Sequence, residues 1–137
     1  MARDRSRARS VGVRWLLAGL LLLLLGGAGS PHAAERIVSI GGAVTEIVYA
    51  LGAADRLVAV DSTSTWPPEA DGLPDVGYMR RLSAEPIVAM RPDLVIAVEG
   101  SGPDSAIAQL RGAGVGVELV PEGYSAEAIA AKIERVA

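Results

Sequence analysis

Residues Ile37–Gly52, IVSIGGAVTEIVYALG, decide the fold. Ile37, Val38 and Ile40 form a short β-branched run that stops at Gly41-Gly42. Val44, Ile47, Val48 and Leu51 then recur at i, i+3, i+4 and i+7, which is one face of a helix. Gly52 ends that helix as a C-terminal glycine does. The chain therefore opens with a strand that turns directly into a helix.

The same alternation continues downstream. Leu57 to Val60 read as a second strand, Leu94 to Val98 as a third and Val115 to Val120 as a fourth. Between them, Ser83 is expected to cap a short helix running to Met90 and ended by Pro92. Pro103 to Ala113 read as a helix opened by proline and closed by Gly114. Ser125 is expected to cap a last helix whose apolar face is Ala126, Ile129, Ala130, Ile133 and Val136. Continuously apolar strands separated by helices indicate an α/β domain with a parallel sheet covered on both faces. All strand-to-helix loops then lie at one edge, where open α/β sheets bind ligands. Those loops begin at Gly41, Asp61, Glu99 and Pro121. Residues 61–82 form the longest, an aperiodic stretch with three prolines, and loops of that length are usually functional.

Upstream of Glu35 the composition changes. Residues 1–34 carry five arginines and one acid, whereas the rest carries eight basic and 15 acidic residues, a net charge of −7. Arg14 ends the basic stretch, and Trp15 to Ala28 are all apolar or glycine. That run is shorter than the roughly 20 residues needed to cross a bilayer and fits the core of a secretory signal. The expected division is a signal peptide over 1–34 and a folded unit over 35–137, with cleavage after Ala28 or Ala34. No arginine pair marks a twin-arginine signal. The chain has no cysteine, which excludes a disulfide framework, a thiolate zinc site and a lipid-modified N-terminal cysteine. A soluble periplasmic protein is the expectation. The chain also ends within its last helical pattern, which reads as a fragment or a truncated product.

An enzyme has little support in the residues. Gly41-Gly42-Ala43 is not a dinucleotide fingerprint, no Walker-type lysine is present, and no nucleophile is paired with a base. The only histidine, His32, falls in the leader region. The distinctive stretch is Val76-Gly77-Tyr78-Met79-Arg80-Arg81-Leu82-Ser83-Ala84-Glu85. A tyrosine here has two readings. It either packs the loop with its hydroxyl bonded to nearby backbone, or it supplies a phenolate to ferric iron. In the second case Arg80 would favour the phenolate or pair with a carboxylate of a porphyrin ligand.

Four segments carry a resemblance. Ile37–Gly52, Val60–Pro68 (VDSTSTWPP), Gly77–Glu85 (GYMRRLSAE) and Arg91–Gly102 (RPDLVIAVEGSG) resemble the N-terminal lobe of periplasmic hemin-binding proteins. These are substrate-binding subunits of haem ABC importers, related to cobalamin and ferric-siderophore binding proteins. The resemblance spans essentially all of residues 36–137. It implies a Rossmann-like N-terminal lobe of a two-lobed protein joined by one long helix, with the second lobe absent from this chain. It further implies haem held between the lobes, Tyr78 as the axial iron ligand and Arg80 as its neighbour or propionate partner. The matching glutamate, Glu85, would dock onto arginines of the inner-membrane permease. Helix-dipole stabilisation in the first turn also accounts for Glu85. Pro86 stands where hemin binders usually have glycine, so the docking geometry departs from the pattern.

Gly41, Gly42 and Gly100 either line the cleft, letting backbone approach a flat ligand, or serve turn geometry alone. Trp66 either flanks a porphyrin face or stiffens its loop with Pro67 and Pro68. Tyr49 reads as packing, and Arg81 and Glu46 as solvated. The function expected is capture of hemin in the periplasm and delivery to an ABC permease. The full-length protein is expected to be a monomer with no nucleic-acid partner. The alternatives are a cobalamin or siderophore binder of the same fold and an α/β enzyme fragment.

Overall fold

The computed structural model describes residues 33–137, so residues 1–32 of the expected leader, with the Ala28 cleavage point, lie outside the described residues. Four strands, β1 (Ile37–Ile40), β2 (Leu57–Val60), β3 (Leu94–Val98) and β4 (Gly116–Val120), form one parallel sheet in the order β2-β1-β3-β4. Helices α1 (Gly42–Ala50), α2 (Ala84–Ala89), α3 (Asp104–Gly112) and α4 (Ala126–Val136) alternate with them. β1 and β3 pair without interruption from Ile37↔Leu94 to Ile40↔Ala97, while the β1–β2 register shifts between Ile37 and Val38. The α/β parallel-sheet expectation holds.

Alternation along each strand divides the core between the two faces of the sheet. Val38, Ile40, Ala59, Val95 and Ala97 pack with Ile87 of α2 and with Ile107 and Leu110 of α3. Ile37, Leu57, Ile96 and Val98 pack with Val44 and Val48 of α1, and Val136 of α4 joins them. Burial of each of the larger side chains stabilises the fold by about 1.5–3 kcal/mol.

Several local expectations are corrected. The buried face of α1 is Val44, Thr45 and Val48, and Leu51 is exposed at the C-cap. Thr45 goes inward because its hydroxyl joins a buried hydrogen-bond chain, described below. Ser83 occupies the N-cap of α2, but its side chain makes no capping bond. Pro103 precedes α3 as its N-cap instead of opening the helix from within, and β4 begins at Gly116, not Val115. Residues 61–82 contain 3₁₀ turns at Pro68–Gly72 and Met79–Arg81, and Asp75 bridges Val60 in the parallel sense.

The largest correction concerns α4. Ser125 does cap it, accepting the Ala128 amide at 3.2 Å. The expected apolar face, however, points largely to solvent: Ile129 is 52% and Ile133 41% exposed, and Ala126 and Ala130 are exposed too. Lys132 is buried in their place, its ammonium 3.2 Å from Glu122 Oε1. Arg135 pairs with Glu118 of β4. The face turned to the domain thus carries Lys132 and Val136, with ion pairs to β4 and its following loop.

Candidate functional site

The carboxyl edge of the sheet gathers the loops after β1, β2 and β3. Their positions follow from a few anchors. At the end of β1, Gly41 has φ +104°, and a Cβ there would stand 2.9 Å from Val98 Cγ1. A Cβ on Gly42 would stand 2.8 Å from the Thr63 carbonyl oxygen. Both glycines are therefore required by close approach within the domain itself. Gly41 is buried and Gly42 half-buried.

After β2, Asp61 is 1% exposed and collects donors from two loops. Its carboxylate accepts the Gly41 amide at 2.8 Å, the Thr63 amide at 3.2 Å, the Thr63 hydroxyl at 2.8 Å and the Ser64 hydroxyl at 2.8 Å. Ser64 Oγ lies 2.6 Å from Thr45 Oγ1, which lies 2.6 Å from Ser39 Oγ. The sequence reading marked Asp61 only as the start of a loop. The signal was present: an acid immediately after a strand, with hydroxyls at i+1 to i+4, is typical of side chains that bond local backbone. Trp66 follows this cluster and is 61% exposed.

The Gly77–Leu82 segment presents Tyr78 through alternating anchors. Val76 and Leu82 are buried, and Met79 packs against both halves of the core. Gly77 adopts φ +103°, donates its amide to Asp75 Oδ1 at 2.7 Å and accepts the Ser62 amide at 3.1 Å. With Met79 directed inward, Tyr78, Arg80 and Arg81 are left outside. Tyr78 is 43% exposed, and its hydroxyl forms no hydrogen bond among the described residues. Arg80 extends over the loop after β3, its Nη1 3.4 Å from the Gly100 carbonyl oxygen. A cavity of about 500 Å³ opens there, lined by Arg80, Gly100, Ser101, Asp104, Ile107 and Arg111. Tyr78 and Trp66 do not line it.

The remaining candidates are placed as follows. Glu85 is exposed in the first turn of α2, and Arg81 and Glu46 are exposed. Tyr49 is half-buried against the α1 side of the core. Tyr124 is almost fully exposed. Among the described residues, no group of three or more His, Asp or Glu side chains could hold a bare metal ion. The edge thus offers a phenol, guanidinium groups, an indole and backbone. That set suits an extended ligand with carboxylate arms better than a lone cation.

Residues 37–137 match the periplasmic binding protein family. The chain belongs to that family. Among solved structures, this periplasmic binding protein resembles a periplasmic haem-binding protein from Pseudomonas aeruginosa, with a TM-score of 0.74 and 42% identity. That match covers 76% of this chain and 37% of the other. It also resembles the periplasmic vitamin B12-binding protein of Vibrio cholerae, with a TM-score of 0.67 and 37% identity, covering 75% of this chain and 40% of the other. A vitamin B12-binding protein from Yersinia pestis is 38% identical over 84 residues, 61% of this chain and 30% of the relative. The chain therefore spans well under half the length of these relatives. Family and relatives alike are substrate-binding proteins, not enzymes, so the enzyme-fragment alternative falls away.

Proposed function

We propose that this chain is the N-terminal lobe of a hemin-binding subunit of an ABC importer, exported by a Sec-type signal at residues 1–34. In this reading, residues 35–137 form one wall of a cleft between two lobes. Tyr78 supplies the axial ligand to ferric haem iron. Arg80 favours the phenolate or pairs with a propionate. Trp66 and the Gly42 and Gly100 backbone flank the porphyrin, while buried Gly41 shapes the turn behind them.

One observation carries this reading: Tyr78 stands on the ligand edge with its hydroxyl unpartnered among the described residues, while its neighbours Met79 and Leu82 anchor the loop. At 43% exposure the phenol is open to a ligand at this edge and is not sealed into the packing of its loop. Ferric iron favours an anionic oxygen, and tyrosine is one of the proximal haem ligands proteins use. Arg80 places positive charge on the same short turn.

The test is a ferric-hemin titration of the exported protein, including whatever its reading frame adds beyond Ala137. A tyrosinate-type Soret and charge-transfer spectrum that is lost in Tyr78→Phe is the expected result. An unchanged spectrum in that variant would remove Tyr78 as the ligand. Residues 35–137 alone bind hemin weakly in this reading, because one wall buries far less of a ligand than the roughly 70–90% usual in a formed site.

The vitamin B12-binding relatives favour a second reading, a cobalamin binder of the same fold. Parallel titration with cyanocobalamin separates the two. Saturable cobalamin binding unaffected by Tyr78→Phe, with no hemin complex, would establish the second reading. For delivery, Glu85 is proposed to dock onto arginines of the permease. Glu85→Ala is expected to keep ligand affinity and lower uptake.

A further inference from the structure

We propose that Asp61 is the positioning residue of the ligand edge, a buried carboxylate that locks the β1 turn and the Thr63–Trp66 segment into one rigid unit. The argument begins with what surrounds it. Asp61 is almost wholly buried, yet among the described residues no lysine or arginine pairs with it. Its charge is balanced by oriented dipoles alone: two backbone amides and two hydroxyls, from Gly41, Thr63 and Ser64. Charge-assisted bonds of this kind are shorter and stronger than neutral ones, and a buried acceptor deprived of them is strongly disfavoured.

The hydroxyl chain behind it has a direction. Ser64 donates to the carboxylate, so Thr45 must donate to Ser64 and Ser39 to Thr45. Thr63 spends its proton on Asp61, which leaves its oxygen to accept the Gly42 amide at 3.1 Å. Every hydrogen in the cluster is thereby assigned by one group. The parts joined are the end of β1, the first turn of α1 and the loop leading to Trp66.

An apolar side chain at position 61 could fill the same space, but it would strand the Gly41 and Thr63 amides. What the carboxylate adds is a fixed orientation of two loops against each other, with exposed Trp66 immediately beyond them. Trp66 as a ligand wall rests on the haem proposal, whereas the clamp itself does not.

The experiment uses the whole chain in a Trp15→Phe background, so that Trp66 is the sole indole. In Asp61→Asn, loss of the charge weakens every bond the side chain accepts, and its NH2 group faces existing donors at either oxygen position, so at least one bond is lost. Amide exchange at Gly41 and Thr63 is expected to quicken about tenfold or more, matching the loss of one charge-assisted bond. Acrylamide quenching of Trp66 should rise, while Val38 and Val95 in the sheet keep their protection. Unchanged exchange at Gly41 and Thr63 with unchanged Trp66 quenching would overturn the proposal. Equal acceleration at Val38 and Val95 would also overturn it, by showing general destabilisation. Should Asp61→Asn fail to fold, Thr63→Val and Ser64→Ala each remove one donor. Raised Trp66 quenching in them supports the clamp, and unchanged quenching in both refutes it. Asp71→Asn, an exposed acid on the same loop, is the control and should alter neither readout. Since all of these readouts are taken without ligand, failure of hemin to bind would count against the haem proposal alone.

Discussion

The amide of Gly102 donates to the carbonyl of Met79 at 2.9 Å, and the Gly102 carbonyl in turn accepts the Leu82 amide at 2.8 Å. This pair of bonds staples the turn that presents Tyr78 to the loop between β3 and α3. Met79 adds a side chain wedged between both halves of the core. Met79→Ala should therefore cost about 2 kcal/mol, the low end for removing a methionine because this one is only half-buried. It should also release the Tyr78 turn. Urea denaturation measures the first effect, and exchange of the Arg81 amide, bonded at 2.8 Å to the Tyr78 carbonyl, measures the second.

Gly100 illustrates how backbone conformation controls a charged neighbour. Its φ of +81° is a left-handed conformation, and a Cβ there would stand 3.0 Å from Arg80 Nη1. The strain of an L-residue in that conformation is about 1–2 kcal/mol. The contact itself is with the far end of a flexible side chain, which can swing away. Gly100→Ala is expected to lower stability by about 1 kcal/mol and to displace the Arg80 guanidinium from the Gly100 carbonyl. Denaturation gives the stability, and an Arg80 Nε–Hε NMR cross-peak that shifts or broadens reports the displacement.

Lys132 and Glu122 form a one-sided pair, with the ammonium buried and the carboxylate partly exposed. Removing Glu122 would leave a buried cation, whereas replacing the lysine with an apolar side chain of similar length removes the need for a partner. Glu122→Ala should destabilise by about 1 kcal/mol, discounted for the exposure of the acid. Lys132→Met should be neutral or stabilising. Chemical denaturation of both variants decides this, and the prediction fails if Lys132→Met is the more damaging.

The strands, the helices α1 to α3 and the gathering of loops at the carboxyl edge of the sheet were legible in the sequence because each signal was local. Leu94–Val98 is a continuous apolar run and Ile37–Ile40 is broken only by Ser39, a pattern that suits strands in the interior of a parallel sheet. Tyr78 and Trp66 could be placed on that edge from the loop that contains them. Three things were not legible. Thr45 faces inward because of Ser39 and Ser64, partners six and 19 residues away, which helical periodicity does not register. The hydroxyls after Asp61 signal local turn bonds, but its burial depends on Gly41, 20 residues upstream, which no local pattern registers. In α4 the apolar periodicity was real but did not select the packed face. The stem of Lys132 and the side chain of Val136 turn toward the domain, while Ile129 and Ile133 stay outside.

The start of α4 carries a pH dependence. The Glu127 carboxyl is held below its ordinary value of 4.5, first by a hydrogen bond from its own backbone amide and then by the Ser125 hydroxyl. A lowered carboxyl pKa stabilises the fold above the ordinary value, and that contribution is lost as pH falls through the folded-state value. Ser125→Ala removes both the cap on the Ala128 amide and one of the bonds to Glu127. At neutral pH it should lower stability by about 1 kcal/mol, the usual cost of losing an N-cap. In an NMR titration the Glu127 carboxyl of the variant should move back up toward 4.5. The stability difference between the two proteins should accordingly narrow as pH falls below that value. A difference that stays constant from neutral pH into the acid range would show that Ser125 and Glu127 act independently.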